Sequence, residues 1–270
     1  MEMRKIALLL VLAMILASSL VVLTSCGGNY DDNPIDGDTE KDQEKDKEKE
    51  TEEKDDNVEY GLRYENFVYN VYDGKTITIT GYDFSKLISD ETDESGVAKI
   101  LKIKLEIPAK INNSRVTAIG DAAFEKNANI ESVVIPASVE TIGDQAFWFS
   151  SALTEVTVPE TVKSIGKNLF RYCGALTSAT LPASVTEIPE GTFGECTSLN
   201  KLTLKGKITS IGKDAFSYCM ALSTFTFGAE LKSIGDGAFR YCVLLSAPKL
   251  AETVEVGEEA FYNCGTGIAG

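Results

Sequence analysis

Residues 142–164 read Ile-Gly-Asp-Gln-Ala-Phe-Trp-Phe-Ser-Ser-Ala-Leu-Thr-Glu-Val-Thr-Val-Pro-Glu-Thr-Val-Lys-Ser, one unit of a pattern that runs through most of the chain. The signature Ile-Gly-x-x-Ala-Phe starts at Ile119, Ile142, Ile165, Ile188, Ile211 and Ile234, at 23-residue intervals, and again at Val256 after 22. The anchored phenylalanines are Phe124, Phe147, Phe170, Phe193, Phe216, Phe239 and Phe261. Intervals this regular do not arise by chance, and a period of this length is that of a solenoid.

Each unit has a physical reading. Ile142-Gly143 closes the preceding turn, and Gly143 suits a backbone position with positive φ. Asp144-Gln145-Ala146-Phe147 predicts a short helical or 3-10 turn with Ala and Phe facing inward. Leu153 then opens a strand in which Val156 and Val158 alternate with Thr157, a period of two. Pro159 stops that strand, and Val162 and Ile165 return to the core. No unit buries this apolar set alone. Stacking in parallel at about 4.8 Å per rung does so, and seven rungs make a ladder of about 30–35 Å.

The form IGxxAF-xx-C-xx-L-xx-V-x-IPxSV-xx resembles the BspA-type leucine-rich-repeat family of bacterial surface proteins, over roughly Ile107 to Cys264. The fold class is thus a repeat solenoid of leucine-rich-repeat type, with a parallel β-ladder and short helical or 3-10 turns. Ile188-Pro189 departs by replacing the glycine. Lys205-Gly206 and Gly228-Ala229 depart by replacing the strand-ending proline, and Pro248 falls on an inward strand position, which predicts a frayed rung. The resemblance implies a non-enzymatic surface protein whose solenoid mediates adhesion or binding.

Cys173, Cys196, Cys219, Cys242 and Cys264 sit three residues after the repeat phenylalanine, where the first two units have Asn127 and Ser150. A position that takes Cys, Asn or Ser wants a small side chain with a weak hydrogen bond near the core. A buried thiol ladder is the reading this favours. Disulfides between neighbouring rungs are the alternative, though parallel Cβ vectors strain them. A zinc site needs convergent ligands, and these form a column.

The N-terminus carries a different signal. Arg4 and Lys5 precede the apolar run Ile6 to Leu23, which ends in Leu23-Thr24-Ser25-Cys26. This resembles a bacterial lipobox, and the resemblance implies cleavage before Cys26 and acyl chains on its thiol, which anchor the protein to the membrane. The alternative is an uncleaved transmembrane helix, for which eighteen residues is near the lower limit. The organisation is then a signal peptide over 1–25, a lipidated Cys26 with an acidic linker over 26–57, a β-rich cap over 58–111, and the solenoid over 112–270. Within the linker, Asp38 to Asp56 holds 11 acidic and 5 basic residues and nothing that builds a core.

In the cap, Phe67–Val71 and Thr76–Thr80 read as strands joined by a hairpin at Asp73-Gly74. Lys99 to Ile107 reads as a further strand, and Asn112-Asn113-Ser114-Arg115 as a loop. The acidic loop Ser89–Gly96 lacks the ligand spacing of an EF-hand. No C-terminal cap matches the N-terminal one, which predicts an open edge beyond the last rung.

Composition excludes several functions. The chain has no histidine, which rules out Ser-His-Asp and Cys-His chemistry within it. Asp plus Glu outnumber Lys plus Arg 41 to 26, a net charge of −15, which argues against nucleic acid. No nucleophile–base pair, phosphate loop, metal cluster or cofactor motif is present, so no enzyme is expected. Two outward columns remain. One runs along the strands, through Glu155/Thr157, Ser178/Thr180 and Lys201/Thr203. The other lies two after each repeat phenylalanine and, with Trp148, forms a broken aromatic stripe of Phe149, Tyr172, Tyr218 and Tyr241. This stripe either covers the outer turns or binds a protein or glycan. The alternative function is a structural or assembly role in the bacterial envelope with no external ligand.

Overall fold

The computed structural model describes residues 57–92, 98–246 and 248–265. The signal segment, Cys26, nearly all of the acidic linker, residues 93–97 of the acidic loop, Ala247 and the last five residues lie outside the described residues.

The repeats form a parallel β-solenoid with two ladders. The first joins Ile103–Glu106, Ile130–Val134, Glu155–Thr157, Ser178–Leu181 and Lys201–Leu204, all parallel and in chain order. Its register advances by one unit per rung, so Glu155 pairs with Ser178 and Ser178 with Lys201. Equal steps keep Val156, Ala179 and Leu202 on one face. Beyond its first, six-residue strand, the second ladder uses two-residue strands. It runs from Ser114–Ile119 through Thr141–Ile142 to Ser164–Ile165, and a separate sheet resumes at Glu187–Ile188 and continues through Ser210–Ile211 and Ser233–Ile234 to Glu255–Val256.

Pro189 explains the gap between those sheets. In the intact stretches the Gly143 N–H donates to the Ile119 carbonyl at 2.8 Å, Gly166 to Ile142 at 2.8 Å, and Gly212 to Ile188 at 2.8 Å. Proline has no N–H to offer Ile165. The glycines also let rungs approach closely: a Cβ on Gly143 would lie 2.7 Å from the Asp121 backbone nitrogen, and one on Gly212 would lie 2.6 Å from that of Glu190. This corrects the expectation for Gly143. Its φ is not positive, and space between rungs is what requires glycine.

The turn after each glycine is not helical. Gln145 has φ +57° and Phe149 has φ +55°, and the equivalent Asn168 and Tyr172 have +53° and +64°. Left-handed residues on both sides of each phenylalanine prevent a helical turn. The turn's N–H groups instead reach the next rung: Gln145 to the Lys167 carbonyl at 2.8 Å, Phe147 to Leu169 at 3.1 Å, Phe149 to Arg171 at 2.8 Å. Among the described residues, the one 3-10 segment is Ser85–Leu87.

The phenylalanines form the spine of the core. Phe124, Phe147, Phe170, Phe193, Phe216 and Phe239 are fully buried. Successive rings stack with centroids 5.1–5.7 Å apart, from Phe124–Phe147 at 5.1 Å to Phe147–Phe170 at 5.7 Å. Each such pair contributes roughly 0.5–1.5 kcal/mol beyond its burial.

At the N-terminal end, Val58–Tyr64, Phe67–Tyr72 and Thr76–Tyr82 form an antiparallel meander. Asp73 and Gly74 both have positive φ and Lys75 N–H donates to Tyr72 at 3.0 Å, the geometry of a type I′ turn. Thr76–Tyr82 pairs in parallel with Ser114–Ile119, so the second ladder starts on this meander. The single strand expected over Lys99–Ile107 is divided. Ala98–Ile100 pairs with Ile88–Thr92, and Ile103–Glu106 opens the first ladder. The expected four-residue loop is shorter too. Asn112 and Asn113, at φ +48° and +70°, alone join Lys110–Ile111 to Ser114–Ile119. Pro248–Leu250 forms no strand.

Candidate binding surfaces on the solenoid

The residue two after each repeat phenylalanine is left-handed in every rung: Lys126, Phe149, Tyr172, Glu195, Tyr218, Tyr241 and Asn263, with φ from +53° to +64°. Positive φ turns these side chains outward from the tight turn. Phe149, Tyr172 and Tyr262 are exposed, while Trp148, Tyr218 and Tyr241 are half-buried.

The structure divides the stripe into two groups. Trp148 lies 5.8 Å from Phe149 and 5.9 Å, edge-on, from Tyr172, and Phe149 lies 5.9 Å from Tyr172. Further along, Tyr218 and Tyr241 stack at 4.5 Å and Tyr262 meets Tyr241 edge-on at 5.6 Å. Trp148, Phe149 and Tyr172 therefore come together, as do Tyr218 and Tyr241, but the two groups do not touch.

Charge fills the interval. The Arg171 guanidinium sits 5.3 Å from the Tyr172 ring and that of Arg240 sits 5.9 Å from Tyr218. Arg240 Nε also approaches Asp214 Oδ1 at 3.1 Å. Between the arginines lies Glu195. Burial raises its carboxyl above the usual range, against the pull of both arginines, and Asp214 adds to the rise. Sequence reasoning missed this group. The column one after each phenylalanine, with Arg171 and Arg240 flanking the small Gly194 and Ser217, carried the signal. Long side chains there lean over the gap that short ones leave.

The cysteine column points the other way, into the core. Cys173, Cys196, Cys219 and Cys242 are fully buried free thiols, and Cys264 is half-buried. Each donates to the carbonyl of the phenylalanine one rung back: Cys196 to Phe170 at 3.1 Å, Cys219 to Phe193 at 3.1 Å, Cys264 to Phe239 at 2.9 Å. Ser150 does the same to Phe124 at 3.1 Å. Asn127 instead accepts from the Asn129 and Ile130 N–H groups at 2.9 Å each. Burial pushes the Cys173 thiol up to about 12, which makes it a poor nucleophile at neutral pH.

Two shallow troughs, each of about 700 Å³, lie over the Ile-Gly ladder on either side of Pro189. They are floored by glycines and closely spaced backbone. The strand face carries the exposed Glu155, Thr157, Lys201 and Thr203 and the half-buried Ser178 and Thr180. Among the described residues, no group of three His, Cys, Asp or Glu side chains is placed to hold a metal ion. No helix of these residues is long and apolar enough to cross a membrane.

Comparison with known proteins agrees with this geometry. The model of the BspA type leucine rich repeat region matches in six copies, over residues 117–246 and 232–267. A leucine-rich repeat protein of Eubacterium ventriosum is 25% identical with a TM-score of 0.57, covering 74% of this chain and 50% of its own. A leucine rich cell surface protein of Faecalibacterium prausnitzii is 26% identical with a TM-score of 0.50, covering 69% of this chain and 53% of its own. The chain thus spans about half the length of these two structures. The T. pallidum leucine rich repeat protein, at 24% identity and a TM-score of 0.50, shares the fold over 68% of this chain and 90% of its own. No curated protein matches.

Proposed function

We propose, from the premise that the chain belongs to the BspA-type leucine-rich-repeat family, that it is a non-enzymatic adhesion or binding protein of the bacterial surface. In this reading Cys26 carries acyl chains, the acidic linker spaces the solenoid from the membrane, and the aromatic stripe contacts a protein or glycan ligand.

The observation that carries the binding role is the backbone under the stripe. Left-handed φ costs an ordinary L-residue about 1–2 kcal/mol, and Gly or Asn bears it best. Four of these positions hold Phe149, Tyr172, Tyr218 and Tyr241. A column that folding alone would fill with Asn or Gly carries rings, with arginines beside them. Trp, Tyr and Arg are the residues that dominate binding energy at protein interfaces. The Tyr218–Tyr241 stack covers ring faces, joins the two phenols by a hydrogen bond and leaves ring edges at the surface, which suits a protein ligand better than the flat stacking a sugar ring needs.

The test is capture of purified matrix proteins and cell-wall glycans by the full chain and by a Trp148→Ala/Tyr172→Ala/Tyr218→Ala variant. Binding that survives the triple substitution removes the stripe from the function. Intact-mass analysis of the membrane fraction tests the anchor, and an unmodified Cys26 thiol or a retained Met1 would overturn it.

A further inference from the structure

The last rung is one residue short. Cys173, Cys196, Cys219 and Cys242 follow one another at 23 residues, and Cys264 follows Cys242 at 22. The missing residue falls between Cys242 and Val256, the segment in which Pro248–Leu250 forms no strand. The turn that carries Cys264 is nevertheless seated on its neighbour. Phe239 N–H donates to the Ala260 carbonyl and Tyr241 N–H to the Tyr262 carbonyl, each at 2.7 Å. Cys242 and Cys264 therefore lie one rung apart, about 4.8 Å, within the Cα separation of roughly 4.4–6.8 Å that a disulfide bridges.

These two thiols differ from the rest of the column. Cys173, Cys196 and Cys219 are fully buried, and their thiols donate to the carbonyls of Phe147, Phe170 and Phe193. Cys264 is half-buried, and its sulfur and that of Cys242 are hydrogen-bonded to each other. That bond holds the Cys264 thiol below its usual range, against the effect of burial. It raises Cys242, and burial adds to the rise. A partly exposed sulfur that favours the thiolate thus faces a protonated one inside the core. An attacking thiol and a resolving thiol divide their work in this way.

We propose that Cys264 and Cys242 are a redox pair, in which Cys264 attacks a low-molecular-weight disulfide and Cys242 resolves the adduct into a bond between the last two rungs. When Cys264 loses its proton to solvent, the Cys242 S–H turns from the Phe216 carbonyl, at 3.1 Å, to the Cys264 thiolate. That thiolate attacks one sulfur of the small disulfide. The S–S bond breaks, one half leaves as a thiolate, and the other stays on Cys264. Capping Cys264 ends the hydrogen bond that raised Cys242. Cys242 then attacks the Cys264 sulfur, and the second half departs with the Cys242 proton. Two protein thiols are oxidised to one disulfide, and the small disulfide is reduced to two thiols. Parallel Cβ vectors strain the new bond, and a strained disulfide is a labile one that a thiol reopens. While closed, it staples the shortened rung to its neighbour. The pair is independent of the aromatic stripe and of any acyl chain on Cys26.

Oxidised glutathione is the probe, added to the folded full chain at pH 8, with intact-mass analysis and peptide mapping after an acid quench. The parent is expected to lose two hydrogens, to yield a Cys242–Cys264 cross-linked peptide, and to regain both thiols in dithiothreitol. Cys242→Ser is expected to stop at the mixed disulfide, with one glutathione held on Cys264. Cys264→Ser is expected to leave Cys242 unreacted. Both variants suit the fold, because Ser150 occupies the same column and donates to the Phe124 carbonyl as the thiols do to theirs. Iodoacetamide, which leaves no disulfide for Cys242 to attack, is expected to mark Cys264 alone. A stable glutathione adduct on Cys264 of the parent overturns the proposal. So does a disulfide between any other pair of the column, equal oxidation of the Cys264→Ser variant, or no reaction at all.

Discussion

The Cys173 thiol donates to the carbonyl of Phe147, one rung back, at 3.2 Å. The bond ties this turn to the phenylalanine of the preceding rung, inside a core whose burial keeps the thiol neutral. Burial raises the Cys173 thiol from 9.0 to about 12. A folded-state value above the unfolded one gives stability that is fully present below pH 9 and lost as pH rises toward 12, because the unfolded chain ionises first. Thermal unfolding temperature is expected to fall steadily from pH 9 to 12, and Cys173→Ser to flatten that slope. Titration of the native protein with a thiol reagent at pH 8 is expected to find Cys264 reactive and the four buried thiols silent. Rapid reaction of the buried four would contradict their placement.

Glycines in this chain divide by what surrounds them. A Cβ on Gly143 would meet the Asp121 backbone nitrogen at 2.7 Å, whereas one on Gly174 meets nothing nearer than Thr197 Oγ1 at 3.8 Å. Gly143→Ala is expected to cost about 2 kcal/mol or more, since backbone on a neighbouring rung has to move. Gly174→Ala is expected to be neutral or to stabilise by about 0.5 kcal/mol, through the unfolded chain. Chemical denaturation of the two variants checks the pair, and equal effects would show that rung spacing does not set the glycine requirement.

These examples mark what was legible in the sequence. The period, the phenylalanine spine and the inward Val156 and Val158 could be read because each recurs at fixed spacing and each is apolar. The reason for Gly143 could not, because a glycine looks the same whether it serves positive φ or close approach. Val58–Tyr64 was missed because its residues are mostly exposed and lack clear alternation. The helical turn was misread because Asp-Gln-Ala-Phe has no local feature forcing Gln145 left-handed; hydrogen bonds to the neighbouring rung impose it. The Arg171–Glu195–Arg240 group arises from residues on three rungs, and only stacking brings it together.

Glu195 offers a pH test of that group. Its carboxyl is raised chiefly by burial, so its ionised form is held less well in the fold than in the unfolded chain. Its contribution is therefore present below the unfolded value and lost as pH rises through the folded one. Glu195→Gln is expected to stabilise the protein at pH 7, with the advantage shrinking as pH falls toward 4. Paired denaturation curves at the two pH values measure this. A destabilised variant at pH 7 would mean that Arg171 and Arg240 outweigh burial.

The last prediction separates folding from binding along the stripe. Tyr172 has φ +64° and its ring touches Trp148 and Phe149 at the surface. Replacing it by Asn relieves about 1 kcal/mol of backbone cost and loses ring contacts of comparable size. Tyr172→Asn is thus expected to leave stability within about 1 kcal/mol of the parent. By contrast, Phe170→Ala, two residues earlier and fully buried in the spine, is expected to cost about 3–5 kcal/mol. If Tyr172→Asn instead loses as much as Phe170→Ala, the ring is a structural cover, and the argument from its backbone to a ligand fails. If it keeps stability and loses ligand capture, the ring is retained for the surface it presents.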